Sequence, residues 1–114
     1  MKLEQQVCSL ELAKQLKELE FEQESLFYWT LLPSYISRKD EWIIEYKQEH
    51  GDTISAYTVA ELGEMLPIKS STNRNFPKAW VCEVKGLDYY ETGDTEANAR
   101  SKMLIYLKGN KLID

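Results

Sequence analysis

Histidine and cysteine are scarce in this chain, which carries one His50 and two thiols, Cys8 and Cys82, far apart in sequence. So thin a supply excludes a zinc site of closely spaced ligands and a disulfide framework. The two thiols read as reduced side chains packed like small apolar residues. His50 lies in a polar turn with only Glu49 and Asp52 beside it, so it reads as a surface residue without a catalytic or metal role. All five glycines (Gly51, Gly63, Gly86, Gly93, Gly109) are isolated, which excludes a phosphate-cradling loop. No Gly-x-Ser-x-Gly surrounds Ser9, Ser25 or Ser34, so a nucleophile elbow is missing. Long apolar runs are missing too. Leu26-Phe27-Tyr28-Trp29, resumed at Leu31-Leu32, falls far short of the roughly 20 residues that cross a bilayer. The opening Met1-Lys2-Leu3-Glu4-Gln5-Gln6 has no apolar signal core. A cytoplasmic protein with no membrane contact and no cofactor is expected.

A basic excess is also lacking. Fourteen Lys and Arg stand against nineteen Asp and Glu, a net charge of −5. The basic residues are scattered beside acids, which argues against a nucleic-acid face. The acidic excess is in turn too dilute to imitate duplex DNA, which carries a charge about every 1.7 Å of axis.

What remains is an ordinary globular composition, 43% hydrophobic and 29% charged, in 114 residues. That length fits one domain, 1–114. Residues 9–19 read as a helix capped by Ser9, with Leu12, Ala13, Leu16 and Leu19 on one stripe. Leu26 to Leu32 reads as a strand ended by Pro33, and Ser37-Arg38-Lys39-Asp40 as a turn. The next strand, Glu41 to Lys47, places Trp42, Ile44 and Tyr46 on an inner face. After a turn at His50-Gly51-Asp52, Thr53 to Tyr57 makes a short third strand. Thr58 and Glu61 form a capping box for a helix that Pro67 ends. Gly63 inside that helix costs about 1 kcal/mol against alanine, which implies that another element approaches it closely. Ser70 to Pro77 reads as a polar loop, Lys78 to Lys85 as a strand with Trp80, Cys82 and Val84 on one face, and Leu87 to Glu91 as an edge strand. A last helix starts at Asp94 or Thr95 and runs to Lys108, with Gly109 past its end. The expected fold is α+β: a small antiparallel sheet of three to five strands with three helices packed on one face, in two layers.

Four segments, Cys8 to Leu19, Gln23 to Trp29, Ala56 to Pro67 and Thr95 to Leu107, carry a resemblance. They are similar to a family of short phage and prophage-type bacterial proteins, seen notably in gut Bacteroidetes, that has no assigned activity. The resemblance implies a bacterial or mobile-element setting and transfers no catalytic residue. One departure is Glu20, where the family tends to place glycine. Glycine tolerates a left-handed helix closure and glutamate does not, so this helix end is not fixed by the residues alone.

The acidic run Glu18, Glu20, Glu22, Glu24 lacks the oxygen ligands and glycine turn of a cation loop and reads as a solvated helix end. Leu10 to Leu16 looks like the first helix of a helix-turn-helix, but Leu26 to Trp29 is too apolar to serve as a recognition helix. Trp29, Trp42 and Trp80 read as core. Tyr28, Tyr89 and Tyr90 read either as core or as a patch that binds a partner. Arg100 falls inside the apolar stripe of the last helix (Ala97, Met103, Leu104, Leu107). It needs a carboxylate such as Glu96 or Glu64, a carbonyl, or an exit to water; otherwise it lines an anion site. The function expected is that of a non-enzymatic accessory protein that binds an unidentified protein or a second copy of itself. The alternative is a nucleic-acid-associated or anti-host-defence factor.

Overall fold

The structure is a computed structural model that describes residues 2–36, 39–46, 52–75 and 79–114. His50, Gly51, Pro77 and Lys78, and with them parts of the expected turns at 37–40 and 50–52, lie outside the described residues.

The chain is mixed α+β, and its strands form two antiparallel three-stranded sheets where one was expected. A four-residue helical turn, α1 (Leu3–Gln6), precedes α2 (Leu10–Glu18). Ser9 caps α2 by accepting the Leu12 N–H. The first sheet has β1 (Phe27–Leu31) between β2 (Trp42–Glu45) and β3 (Thr53–Ala56). Trp29 stands opposite Ile44 on one side and Ile54 on the other. α2 covers this face: Leu12 and Leu16 join the buried cluster with Ile54, and the Lys14 ammonium lies 5.3 Å from the Trp42 ring centre. The outer edge of β3 is closed by side chains. Lys17 Nζ donates to the Thr53 carbonyl (3.2 Å) and Gln23 Oε1 accepts the Ser55 N–H (2.9 Å), which blunts an edge that could pair with another strand.

Next comes α3 (Val59–Met65). Its capping box is fully made: Thr58 Oγ1 accepts the Glu61 N–H and Glu61 Oε1 accepts the Thr58 N–H. The second sheet runs β4 (Ser70–Asn75), β5 (Ala79–Val84), β6 (Tyr90–Gly93) in that order. The polar stretch expected as a loop is therefore a strand, paired with β5 along its whole length from Ser70 opposite Val84 to Asn75 opposite Ala79. Its residues are all polar, so no apolar alternation marks it in the sequence, although Ser70 and Thr72 are less exposed than Ser71 and Asn73. The final strand also lies later than expected, at Tyr90–Gly93 rather than from Leu87.

α4 (Glu96–Gly109), capped by Thr95, joins the two halves. It packs on all three strands of the second sheet and against α1, α2 and α3. Being covered on several sides, it buries Ala97, Ala99, Ser101, Met103, Leu104 and Leu107. Gly93 permits the approach, since a Cβ there would lie 2.5 Å from the Ala99 nitrogen. One connected core takes residues from both sheets and from α2, α3 and α4.

Both long helices close in the same way. Phe21 N–H reaches the Leu16 carbonyl and Glu20 N–H that of Lys17; Leu112 N–H reaches Leu107 and Lys111 N–H that of Lys108. The left-handed positions are Glu20 (φ 66°) and Lys111 (φ 57°). The glutamate thus adopts the turn that glycine would favour, and Lys111, not Gly109, sits past the end of α4.

The tryptophans are half-buried rather than fully enclosed, and Tyr46, expected inside, is 62% exposed with its ring edge-on to Phe27. Helical aliphatics and small residues fill the centre, while the indoles seal its margins.

Candidate functional site

Two surface regions gather chemically distinctive side chains. The first is a cleft of about 590 Å³ where the two sheets and the starts of α2 and α4 meet. Each sheet contributes one indole, Trp29 from β1 and Trp80 from β5. Trp29 is held by its Nε1–H, which donates to the Cys8 carbonyl (3.0 Å), so its hydrogen-bonding edge is used. Asn98 ties the walls together: its Oδ1 accepts the Ser9 N–H and its Nδ2 donates to Asp94 Oδ1, each at 2.8 Å. Arg74 stands opposite Trp80 in the β4–β5 ladder, and Glu4, Gln5 and Asp94 complete the polar lining.

The second region is the end and outer face of the second sheet. Tyr89 and Tyr90 line a depression of about 400 Å³ there, with Lys69 and Lys85. They face different surroundings. Tyr89 stacks on Tyr106 (ring centres 3.7 Å, planes 12° apart) and donates to Glu91 Oε2. That hydrogen bond raises its phenol to about 12. Tyr90 is 60% exposed on the face away from α4, in register with Glu83 and so with Ser71. Tyr28 is on the other sheet, half-buried, with its hydroxyl accepting the Ser25 N–H (3.3 Å). The structure therefore brings Tyr89 and Tyr90 together and leaves Tyr28 apart.

Arg100 lies beneath α3. Its Nη2 pairs with Glu96 Oε2 (3.0 Å), Nη1 donates to the Val59 carbonyl (2.6 Å), and Nε donates to Thr72 Oγ1 (3.0 Å). Gly63 makes room for it, because a Cβ at that position would sit 2.4 Å from Nη1. Its carboxylate, carbonyl and hydroxyl partners link α4, α3 and β4.

Burial pushes the Cys8 thiol up to about 11 and raises that of Cys82, so both are protonated at neutral pH. Burial also raises the Tyr57 phenol to about 12; its hydroxyl donates to the Glu22 carbonyl. Glu18, Glu20, Glu22 and Glu24 are all exposed. Among the described residues no group of three or more His, Cys, Asp or Glu side chains could hold a metal ion, and no helix is long and apolar enough to cross a membrane.

The architecture is that of a small α+β chain with a cleft between its sheets and a depression at the end of the second. No family model, curated protein or solved structure matches it. The cleft between the sheets was missed in the sequence because its lining comes from six separate segments. Only the two tryptophans gave a signal there, and that signal pointed to core.

Proposed function

We propose that this is a non-enzymatic accessory protein of a phage or prophage setting, acting in the bacterial cytoplasm by binding another protein through the open face of its second sheet. The observation that carries this is exposure. Tyr90 is 60% exposed on that face, and Ile68, at the entry to β4, is completely exposed. A half-buried tyrosine can be core, but an exposed tyrosine and an exposed isoleucine gain nothing by burial in the free protein, and such side chains are the kind that anchor interfaces. Ser71, Asn73 and Thr92 on the same face are small and polar, so a partner can approach the backbone closely. β4 adds an edge strand free of proline and lysine, unlike β3 with its side-chain cover.

A photo-crosslinking amino acid placed at Asn73, expressed in a bacterial host carrying the gene's native neighbours, tests this. One discrete adduct is expected, absent when the same group is placed at Glu18 on the far helix. An adduct of twice the chain mass identifies a second copy as the partner. No adduct at Asn73, or the same adducts at both positions, contradicts the proposal.

A further inference from the structure

The ladder between β4 and β5 fixes which backbone groups β4 turns outward. The Lys85 N–H donates to the Lys69 carbonyl (3.0 Å), and antiparallel pairs alternate, so Ser71 and Asn73 use their N–H and C=O groups on β5. Those of Ser70 and Thr72 point the other way. The Ser70 N–H is taken by the Pro67 carbonyl (3.0 Å), whereas the N–H and C=O of Thr72 meet no backbone partner among the described residues. Thr72 is nevertheless fixed in position, because its Oγ1 accepts from Arg100 Nε (3.0 Å). An incoming strand therefore meets a donor and an acceptor that need no further ordering.

Charge selects what can pair there. β3 has its edge covered by Lys17 and Gln23, and β2 and β6 carry Glu45 and Glu91. From Met65 to Cys82, by contrast, the sequence holds Lys69, Arg74 and Lys78 and no acid, in a chain of net charge −5. Arg74 is engaged within the fold. Lys69 is exposed, and among the described residues no carboxylate meets its ammonium. Glu83 stands opposite Ser71 on β5, one strand further from the edge. Two copies of β4 laid edge to edge would bring basic side chains together with no acid between them, which disfavours a second copy as the occupant. We infer that the partner supplies an extended acidic segment, which joins the outer edge of β4 as a fourth antiparallel strand, exchanges hydrogen bonds with Thr72 and sets a carboxylate beside Lys69. This rests on the reading of the second sheet as the binding surface and names what the partner brings to it. In that pairing the residue three places along from the one facing Thr72 lies opposite Lys69, on the open face.

Amide hydrogen exchange of the ¹⁵N-labelled chain reads this residue by residue. In the free protein the Thr72 amide should exchange quickly and those of Ser71 and Asn73 slowly. Capped peptides of alternating threonine and valine with one glutamate are then added, followed by versions with glutamine or lysine in its place and by the glutamate peptide N-methylated throughout. The glutamate peptide should give saturable, millimolar slowing at Thr72 and leave the Thr92 amide, on the outer side of β6, unchanged. The glutamine peptide should bind about two- to five-fold more weakly, the effect of one exposed ion pair. The lysine peptide should be weaker again, and the N-methylated one, which has no donors, should not bind. Lys69→Glu, an exposed change, should invert the order of the glutamate and lysine peptides. The inference is overturned if Thr72 is already slow in dilute protein, if no peptide slows it, or if the lysine or N-methylated peptide matches the glutamate one. Retention of the parent's order in Lys69→Glu overturns it too. So does protection of Thr72 that grows with protein concentration alone, which marks a second copy, or a response at Thr72 to single-stranded DNA and to none of the peptides. The Asn73 crosslink reads the earlier proposal separately. An adduct there with Thr72 unprotected by every peptide overturns the inference alone, whereas absence of the adduct overturns that proposal whatever the peptides do.

Discussion

Glu20 and Lys111 show how one residue can be held in a conformation it resists. Each occupies the left-handed position of a helix closure whose two backbone hydrogen bonds outweigh the strain. Glu20→Gly and Lys111→Gly should therefore each stabilise the protein by about 0.5–1 kcal/mol, less than the full left-handed penalty because glycine also loosens the unfolded chain. Urea titration reads the gain, and a loss at either site would contradict the closure described. Cys8 gives a second prediction at this scale. Its thiol rises from 9.0 to about 11 in the fold, so the folded state holds the proton more tightly than the unfolded one. The stability tied to it is complete below pH 9 and is lost as the pH climbs through 11. Tyr57, raised in the same direction, adds to the fall at still higher pH. Between pH 8 and 10.5, Cys8→Ala should lose on the order of 2 kcal/mol less than the parent. Equal losses in both would show that Cys8 ionises freely in the fold.

Among the elements, α4 and α3 depend on a single exchange of space for charge. Gly63 gives up helix propensity so that the Arg100 guanidinium can pass and meet Val59, Glu96 and Thr72. Gly63→Ala alone should destabilise by about 1–2 kcal/mol, because it displaces a cation with three fixed partners. In the Arg100→Met background the same change should become neutral or stabilising by up to about 1 kcal/mol, the ordinary preference for alanine in a helix. A double-mutant cycle by thermal melting tests for this reversal of sign. The sequence already carried both halves of this contact, a glycine inside a helix and an arginine inside an apolar stripe, since each breaks the pattern around it. It did not carry their meeting, which depends on how two helices cross. Likewise the capping box at Thr58 and Glu61 was legible because capping is local, whereas β4 was not. Ser70–Asn75 has no periodic signal of its own and becomes a strand only through its ladder with β5.

For the whole molecule, the division of one expected sheet into two follows from that same ladder, and it moves the tryptophans from the centre to the margins. Trp29 and Trp80 belong to different sheets and close a cleft between them, a relation invisible to alternation along either strand. The outer face of the second sheet is the other consequence, since α4 covers only the side that carries Thr72 and Cys82. On the proposed reading, Ile68 and Tyr90 serve binding and not folding. Its most direct test is the double variant Ile68→Ser/Tyr90→Ala, read for stability and for crosslinking from Asn73 in the same preparation. Stability within about 0.5 kcal/mol of the parent is expected, as for exposed residues generally, together with loss of the adduct. A substantial fall in stability with the adduct retained would contradict the claim and assign both side chains to the fold.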